Sequence, residues 1–192
     1  MSARPYRIAI LSCSASKLTT RAPAKDLYTG ALFKLARQLA ELTADRFVIL
    51  SARHGVVRSD TELNPYDTSL KDVDRKLWAA QAGNALHREL GSELTAYKGT
   101  RGNEVLCLAP APYIEGLGIY GFREWVKPLK GLGIGQQKQT LKRLIAQASA
   151  PNTTAGLVLQ LDATFAGAPD APMELIAVMW ARLVAAARQE AA

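Results

Sequence analysis

Three short segments place hydroxyl, thiol and basic side chains where an apolar run has just ended. They are Ser12-Cys-Ser-Ala-Ser-Lys17, Ser51-Ala-Arg-His-Gly55 and Ala109-Pro-Ala-Pro-Tyr113. In open parallel sheets, ligands gather at the carboxyl ends of strands, so these segments share one expected address. The second segment leads on to Asn64-Pro-Tyr-Asp67. Asn64 carries the paired donor and acceptor that read a base edge, and Tyr66 offers a ring for stacking. Asp67 can orient water or stabilise developing positive charge. A proline turn in which Asn64 and Asp67 cap backbone amides would use the same residues. His54 on the same loop favours a site.

Lys17 suits either a cation contacting phosphate or substrate, or an amine nucleophile forming a Schiff base, which needs a buried amine. Cys13 has the chemistry of a nucleophile, but a small buried hydrophobe is the commoner role for such a cysteine. The expected catalytic set is Asp67, His54, Lys17 and Asn64. Ser12, Cys13, Ser14, Tyr28, Gly30, Ser51, Tyr66 and Tyr113 are expected to bind substrate. His87, mid-helix among surface-type residues, receives no role.

A second kind of chemistry lies in Pro128-Leu-Lys-Gly-Leu-Gly-Ile-Gly-Gln-Gln-Lys138. Leu132-Gly-Ile-Gly135 followed by a helix resembles the turn of helix-hairpin-helix DNA-binding motifs. Glycines let a backbone approach phosphate, and the first free amides of a helix point at it. Between Arg123 and Arg143 six basic residues share the segment with a single acid, Glu124. Lys130, Gly131, Gly133, Gly135, Gln136, Lys138, Lys142 and Arg143 are therefore the expected nucleic-acid contacts. A tight loop packed on the sheet beneath a solvated basic helix is the plainer alternative. Across the chain, 24 basic against 17 acidic side chains leave a formal charge of +7, as a phosphate-rich partner would favour.

The elements that must position these residues follow from periodicity. Arg7–Ser12, Arg46–Ser51 and Glu104–Ala109 read as buried strands. Ala31–Leu42 reads as an amphipathic helix on Leu32, Leu35, Ala36 and Leu39. A helix is predicted from about Val73 to Leu94, with Leu77, Trp78, Ala82, Leu86 and Leu90 on one face. Ala52–Leu70 reads as one long polar loop, of a length that is usually functional. A short helix is expected to start within Tyr113–Tyr120, and a glycine turn followed by a helix within Val126–Leu144. Ala150–Gly156 reads as a linker, and Met173–Arg188 as an Ala-rich C-terminal helix. The fold class is α/β: a small, mainly parallel sheet flanked by helices, with strand–helix–strand joined by a right-handed crossover. The expected organisation is a catalytic, nucleic-acid-binding domain over 1–150 and a helical extension over 151–192 packed on it.

At 192 residues the chain is long enough to build a core without disulfides or metal. Two cysteines outside any CxxC pair and two histidines argue against a disulfide scaffold or a zinc site. No cofactor or metal is expected. No apolar run reaches the roughly 18 residues of a membrane span, and Met1–Tyr6 has no signal-peptide character. A cytoplasmic monomer without membrane contact is the expectation.

Ile10-Leu-Ser-Cys-Ser-Ala-Ser-Lys17, Leu27-Tyr-Thr-Gly30, Ile49-Leu-Ser-Ala-Arg-His-Gly-Val-Val57 and Asn64-Pro-Tyr-Asp67 together resemble the successive signatures of the YaaA-like superfamily. The likeness covers about residues 7–145. That superfamily includes peroxide-stress YaaA proteins and a domain of archaeosine synthase, which works on a modified tRNA base. The resemblance implies a nucleic-acid or nucleobase enzyme related to uracil-DNA-glycosylase-like folds. It extends to bacterial antiphage glycosylases that excise hypermodified cytosine, although the usual uracil-DNA-glycosylase motifs are missing here. The expected function is therefore a DNA glycosylase that flips out and excises a modified base. A non-catalytic DNA-binding stress protein of YaaA type and a nucleotide or base-exchange enzyme are the alternatives.

Overall fold

The computed structural model describes residues 7–95, 104–117 and 124–149. The chain divides into two units at Lys142/Arg143. The second contributes only residues 143–149 to the described set. The expected linker at 150–156, the helix at 173–188 and the extension 151–192 lie outside the described residues.

In the first unit, β1 (Arg7–Ser12), β3 (Arg46–Ser51), β4 (Gly55–Arg58), β6 (Glu104–Cys107) and β7 (Glu124–Val126) form one sheet in the order β4-β3-β1-β6-β7. All neighbours are parallel except β4, which runs antiparallel to β3 at one edge. Both faces of the central strands are covered, which is why β1 and β3 read as continuous apolar runs. Ile8, Ile10, Val48, Leu50, Val105 and Cys107 share one buried cluster with Trp78, Ala82, Leu86 and Leu90 of α3 (Arg75–Thr95). The alternate residues Ala9, Leu11, Phe47 and Ile49 face the opposite way. On β1 and β3 packs α2 (Ala31–Thr43), burying Phe33, Ala36, Leu39 and Ala40. Helix α3 starts where the Asp74 carboxylate accepts from the amides of Lys76 (2.9 Å) and Leu77 (3.1 Å). Leu77 itself is exposed, one position (~100°) around the helix from buried Trp78, so it does not belong to the predicted stripe.

The segment 52–70 is not one long loop. Ser51 pairs with Gly55 across three residues, and β4 returns along β3. Gly55 takes φ 69°, the left-handed residue that closes a three-residue hairpin loop. Further on, β5 (Glu62–Leu63) pairs antiparallel with β2 (Ala22–Pro23), which precedes the short α1 (Ala24–Leu27). The third strand stops at Cys107, before Pro110. The short helix after it, α4 (Ala111–Ile114), starts ahead of Tyr113 and ends one residue beyond it, because Pro110 and Pro112 can enter only a first turn. Strand β7 had no counterpart in the sequence reading. It places a strand directly before the glycine turn, so the turn links β7 to α5 (Ile134–Ser149).

From β1 the chain steps to β3 on one side, and later to β6 and β7 on the other. The strand order therefore reverses between β1 and β6, and a crevice opens outside their carboxyl ends. Among the described residues, no helix is long and apolar enough to cross a membrane.

Candidate functional site

Two segments far apart in sequence meet beside the end of β3. The β2–β5 pairing draws residues 22–28 and 62–66 together. Arg37 of α2 fixes the approach to Tyr28 by donating to the Lys25 carbonyl (2.7 Å) and the Asp26 carboxylate (2.6 Å). The loop after β1 is tied to the same segment by Leu18 N–H to the Leu27 carbonyl (2.8 Å) and Thr29 N–H to the Ser16 carbonyl (2.9 Å). Gly30 is required at this crossing. A Cβ there would stand 2.8 Å from Cβ of Ser14, whose hydroxyl accepts from the Gly30 amide at 3.2 Å.

The result is a chain of three hydroxyls. Ser51 Oγ and Tyr66 Oη are 2.7 Å apart, and Tyr66 Oη and Tyr28 Oη 2.8 Å. Ser51 is fully buried and its Oγ also accepts the amides of Arg53 (3.2 Å) and His54 (3.0 Å). With both lone pairs used, the serine hydrogen goes to Tyr66, and Tyr66 and Tyr28 share one further hydrogen bond that either hydroxyl can donate. Burial, reinforced by the Cys13 thiol, raises the pKa of Tyr66 far above the ordinary phenol range, and burial raises Tyr28 as well. Both remain neutral donors at physiological pH.

Charged and aromatic groups frame Tyr66. Lys17 Nζ lies 4.3 Å from the ring centroid and donates to the Ala15 carbonyl at 3.2 Å. The His54 ring meets the Tyr66 ring edge-on at 4.9 Å, and Arg53 stands 6.0 Å from it. Burial, then the Arg53 charge, lowers the His54 pKa and keeps the imidazole neutral at pH 7. His54, Asn64 and Tyr66 line a cavity of ≈ 300 Å³ together with Arg53 and Glu62, the latter paired to Arg21 at 3.3 Å. Asp67 follows Tyr66 and is exposed, outside the residues lining this cavity. Three of the four predicted catalytic residues therefore surround Tyr66, while Asp67 stands apart.

The other half of the site occupies the crevice between β1 and β6. A cavity of ≈ 350 Å³ there is lined by Ser12, Cys13, Ser14, Gly30 and Tyr113 and, from the start of α5, by Ile134 and Lys138. Cys13 Sγ and Tyr113 Oη are 3.2 Å apart. Burial, followed by the neighbouring Cys13, raises the pKa of Tyr113 far above its ordinary value. Cys13 is half-buried in the cavity wall, not sealed in the core. Trp78 joins the two halves: its indole N–H donates to the Ser51 carbonyl at 2.9 Å, and its ring meets Tyr113 edge-on at 5.6 Å. The sequence marked Trp78 only as core. Arg53 and Ile134 were also missed; a bulky apolar residue between two glycines was the signal for the latter.

The glycine turn has its own internal order. Gly131 takes φ 75°, and Gln136 Oε1 accepts the Gly133 amide at 3.0 Å, closing the first turn of α5. Gln137 donates to the Leu132 carbonyl at 2.8 Å. Lys130, Gly131, Gly133, Gly135, Gln136 and Lys142 are exposed and Lys138 is half-buried; Arg143 falls in the second unit. On the far side of the turn, a cavity of ≈ 510 Å³ is lined by Ala109, Ile114, Leu129, Lys130 and Cys107, whose thiol burial pushes up to about 11. Among the described residues, no group of three or more potential ligands could hold a metal ion.

A family model described as "Family of unknown function (DUF6884)" matches residues 8–143, the stretch that carries both halves of the site. No curated protein and no solved structure matches the chain.

Proposed function

This chain belongs to that family of unknown function, and we propose that it is a DNA glycosylase that hydrolyses the N-glycosidic bond of a modified base. One observation carries the reading: the cavity at the switch point of the sheet is walled jointly by the strand-end residues Ser12 and Cys13, by Tyr113 of α4, and by Lys138 of the basic helix behind the glycine turn. A group that holds a phosphate backbone and a pocket of nucleobase size thus share one opening. In this reading Lys130, Lys138 and Lys142 hold the backbone, and the flipped base enters against Cys13 and Tyr113. Lys17 acts as a fixed cation on the Tyr66 ring and not as the attacking amine.

Hydrolysis adds water to C1′ as the C1′–N bond breaks, and the bonding pair leaves with the base. The residue assigned to orient the water and take its proton is Asp67, which lies exposed outside both cavities and must reach the sugar at the cavity mouth in the DNA complex; neutral His54 and Asn64, from the cavity beside Tyr66, are the assigned hydrogen-bond donors to the departing base. A positioned acid or base is worth typically 10²–10⁴-fold, so Asp67→Asn loses about that much turnover and keeps DNA affinity. Equal turnover by the two proteins contradicts the role. The motifs that resemble YaaA-like proteins support the same base-directed chemistry.

A second reading is favoured by one specific feature: among the described residues lining the switch-point cavity, none is a carboxylate. A protein that binds DNA there without chemistry needs none. Its signature is affinity that falls steeply with salt and DNA of unchanged mass.

A further inference from the structure

Ile134 is 68% exposed although it is the first residue of a 16-residue helix and lines the switch-point cavity. It stands between Gly133 and Gly135, and neither glycine is demanded by the fold. Among the described residues, a Cβ at Gly133 would meet only the flexible Gln136 side chain at 3.7 Å, and one at Gly135 would meet nothing within 4 Å. Neither takes the left-handed backbone that favours glycine. What the two glycines do is strip side chains from both neighbours of Ile134, so that it projects alone with bare backbone on either side.

We infer that Ile134 is a wedge for duplex DNA: it enters the stack beside the base that turns out into the switch-point cavity, and its partner is a paired duplex instead of a single strand. This inference rests on the base-flipping reading. Apolar side chains inserted between base steps unstack them, at a cost of a few kcal/mol per step that new contacts must offset. The requirements for such a residue are met together here. Its side chain borders the cavity that would receive the base. Being β-branched, it is stiff and loses little freedom on insertion. Lys138 lies one helical turn further along the same face and lines the same cavity, and Lys130 is exposed in the turn before it. Cations on either side of an apolar tip match phosphates flanking a base step. The bare glycine backbone lets the strand come close.

The test uses the full chain and two probes: a duplex with one central 2-aminopurine, and the same strand unpaired. Binding of the unaltered protein is expected to raise 2-aminopurine fluorescence in the duplex. Ile134→Ala should bind the single strand as the parent does but lose about tenfold of the flipped population in the duplex, given the unstacking cost. Ile134→Leu should retain it. The inference is overturned if Ile134→Ala flips the duplex as well as the parent, or if affinity for both probes falls equally. It is also overturned if the parent binds the duplex with no rise in fluorescence. None of these readouts requires base release, so a failure of hydrolysis and a failure of the wedge are seen separately.

Discussion

The two halves of the site are built on opposite terms. Around Ser51, Tyr66 and Tyr28 the polar groups are committed to one another. The serine oxygen takes two amides and gives its hydrogen onward, and each tyrosine is fixed by a ring or cation contact. At the glycine turn the internal bonds close the first turn of α5, while Ile134 and Lys130 face outward. The first arrangement holds atoms still, as chemistry on a bound group requires. The second leaves surface free for a partner large enough to cover it. Damage to the first should therefore change turnover and stability, and damage to the second should change affinity and its salt dependence.

After Asp67→Asn, the largest effect is expected from breaking the hydroxyl chain. Tyr66→Phe leaves Ser51 without its acceptor in a fully buried position, which costs about 1–3 kcal/mol. For a chain of this size that is a fall in Tm of roughly 2–4 °C per kcal/mol, measurable by calorimetry. DNA affinity should hold. A variant that loses affinity without losing stability would erase the division between the halves.

The turn gives the next effect. Lys130→Gln, Lys138→Gln and Lys142→Gln together should lower the slope of log affinity against log salt by about 0.9 for each phosphate contact removed. The melting temperature should scarcely move, because these side chains carry little of the packing. An unchanged slope would detach the turn from nucleic acid.

The smallest effect is a shift in pH. His54 is held below its ordinary value of 6.5 by burial and by Arg53. If the neutral imidazole is the working form, activity is retained above the folded-state value and lost as pH falls through it. The acid limb of the profile should then have its midpoint below 6.5. Arg53→Gln removes the lowering charge and should move that midpoint upward. A limb that does not respond to Arg53→Gln excludes His54 as its origin.

Much of the strand-end framework of both halves was legible in the sequence, because its residues follow apolar runs whose burial and direction periodicity reveals. Ser12, Cys13 and Ser51 stand at strand ends as expected, Tyr113 lies in α4 beyond the end of β6, and β1, β3 and α2 have nearly the predicted bounds. The contact of Tyr28 with Tyr66 was not legible. It depends on a two-residue pairing, Ala22–Pro23 with Glu62–Leu63, too short to leave a periodic trace. The hairpin at Ser51–Gly55 did leave a signal, a three-residue loop closed by glycine, but the polar Ala52–His54 stretch masked it. Strand β7 borders a basic, glycine-rich stretch and has only three residues, too short a run for an alternation to mark it. Asp67 shows the remaining limit. Proximity in sequence to Tyr66 predicted proximity in space, whereas its carboxylate lies exposed outside both cavities.

The most direct test of base excision is to incubate the protein with duplex DNAs carrying normal, uracil, hydroxymethylated and glucosylated bases, then weigh strands and small molecules by mass spectrometry. A free base and a matching abasic site are expected from one modified member of the panel. Tight binding across the panel with every strand unchanged in mass would contradict base excision.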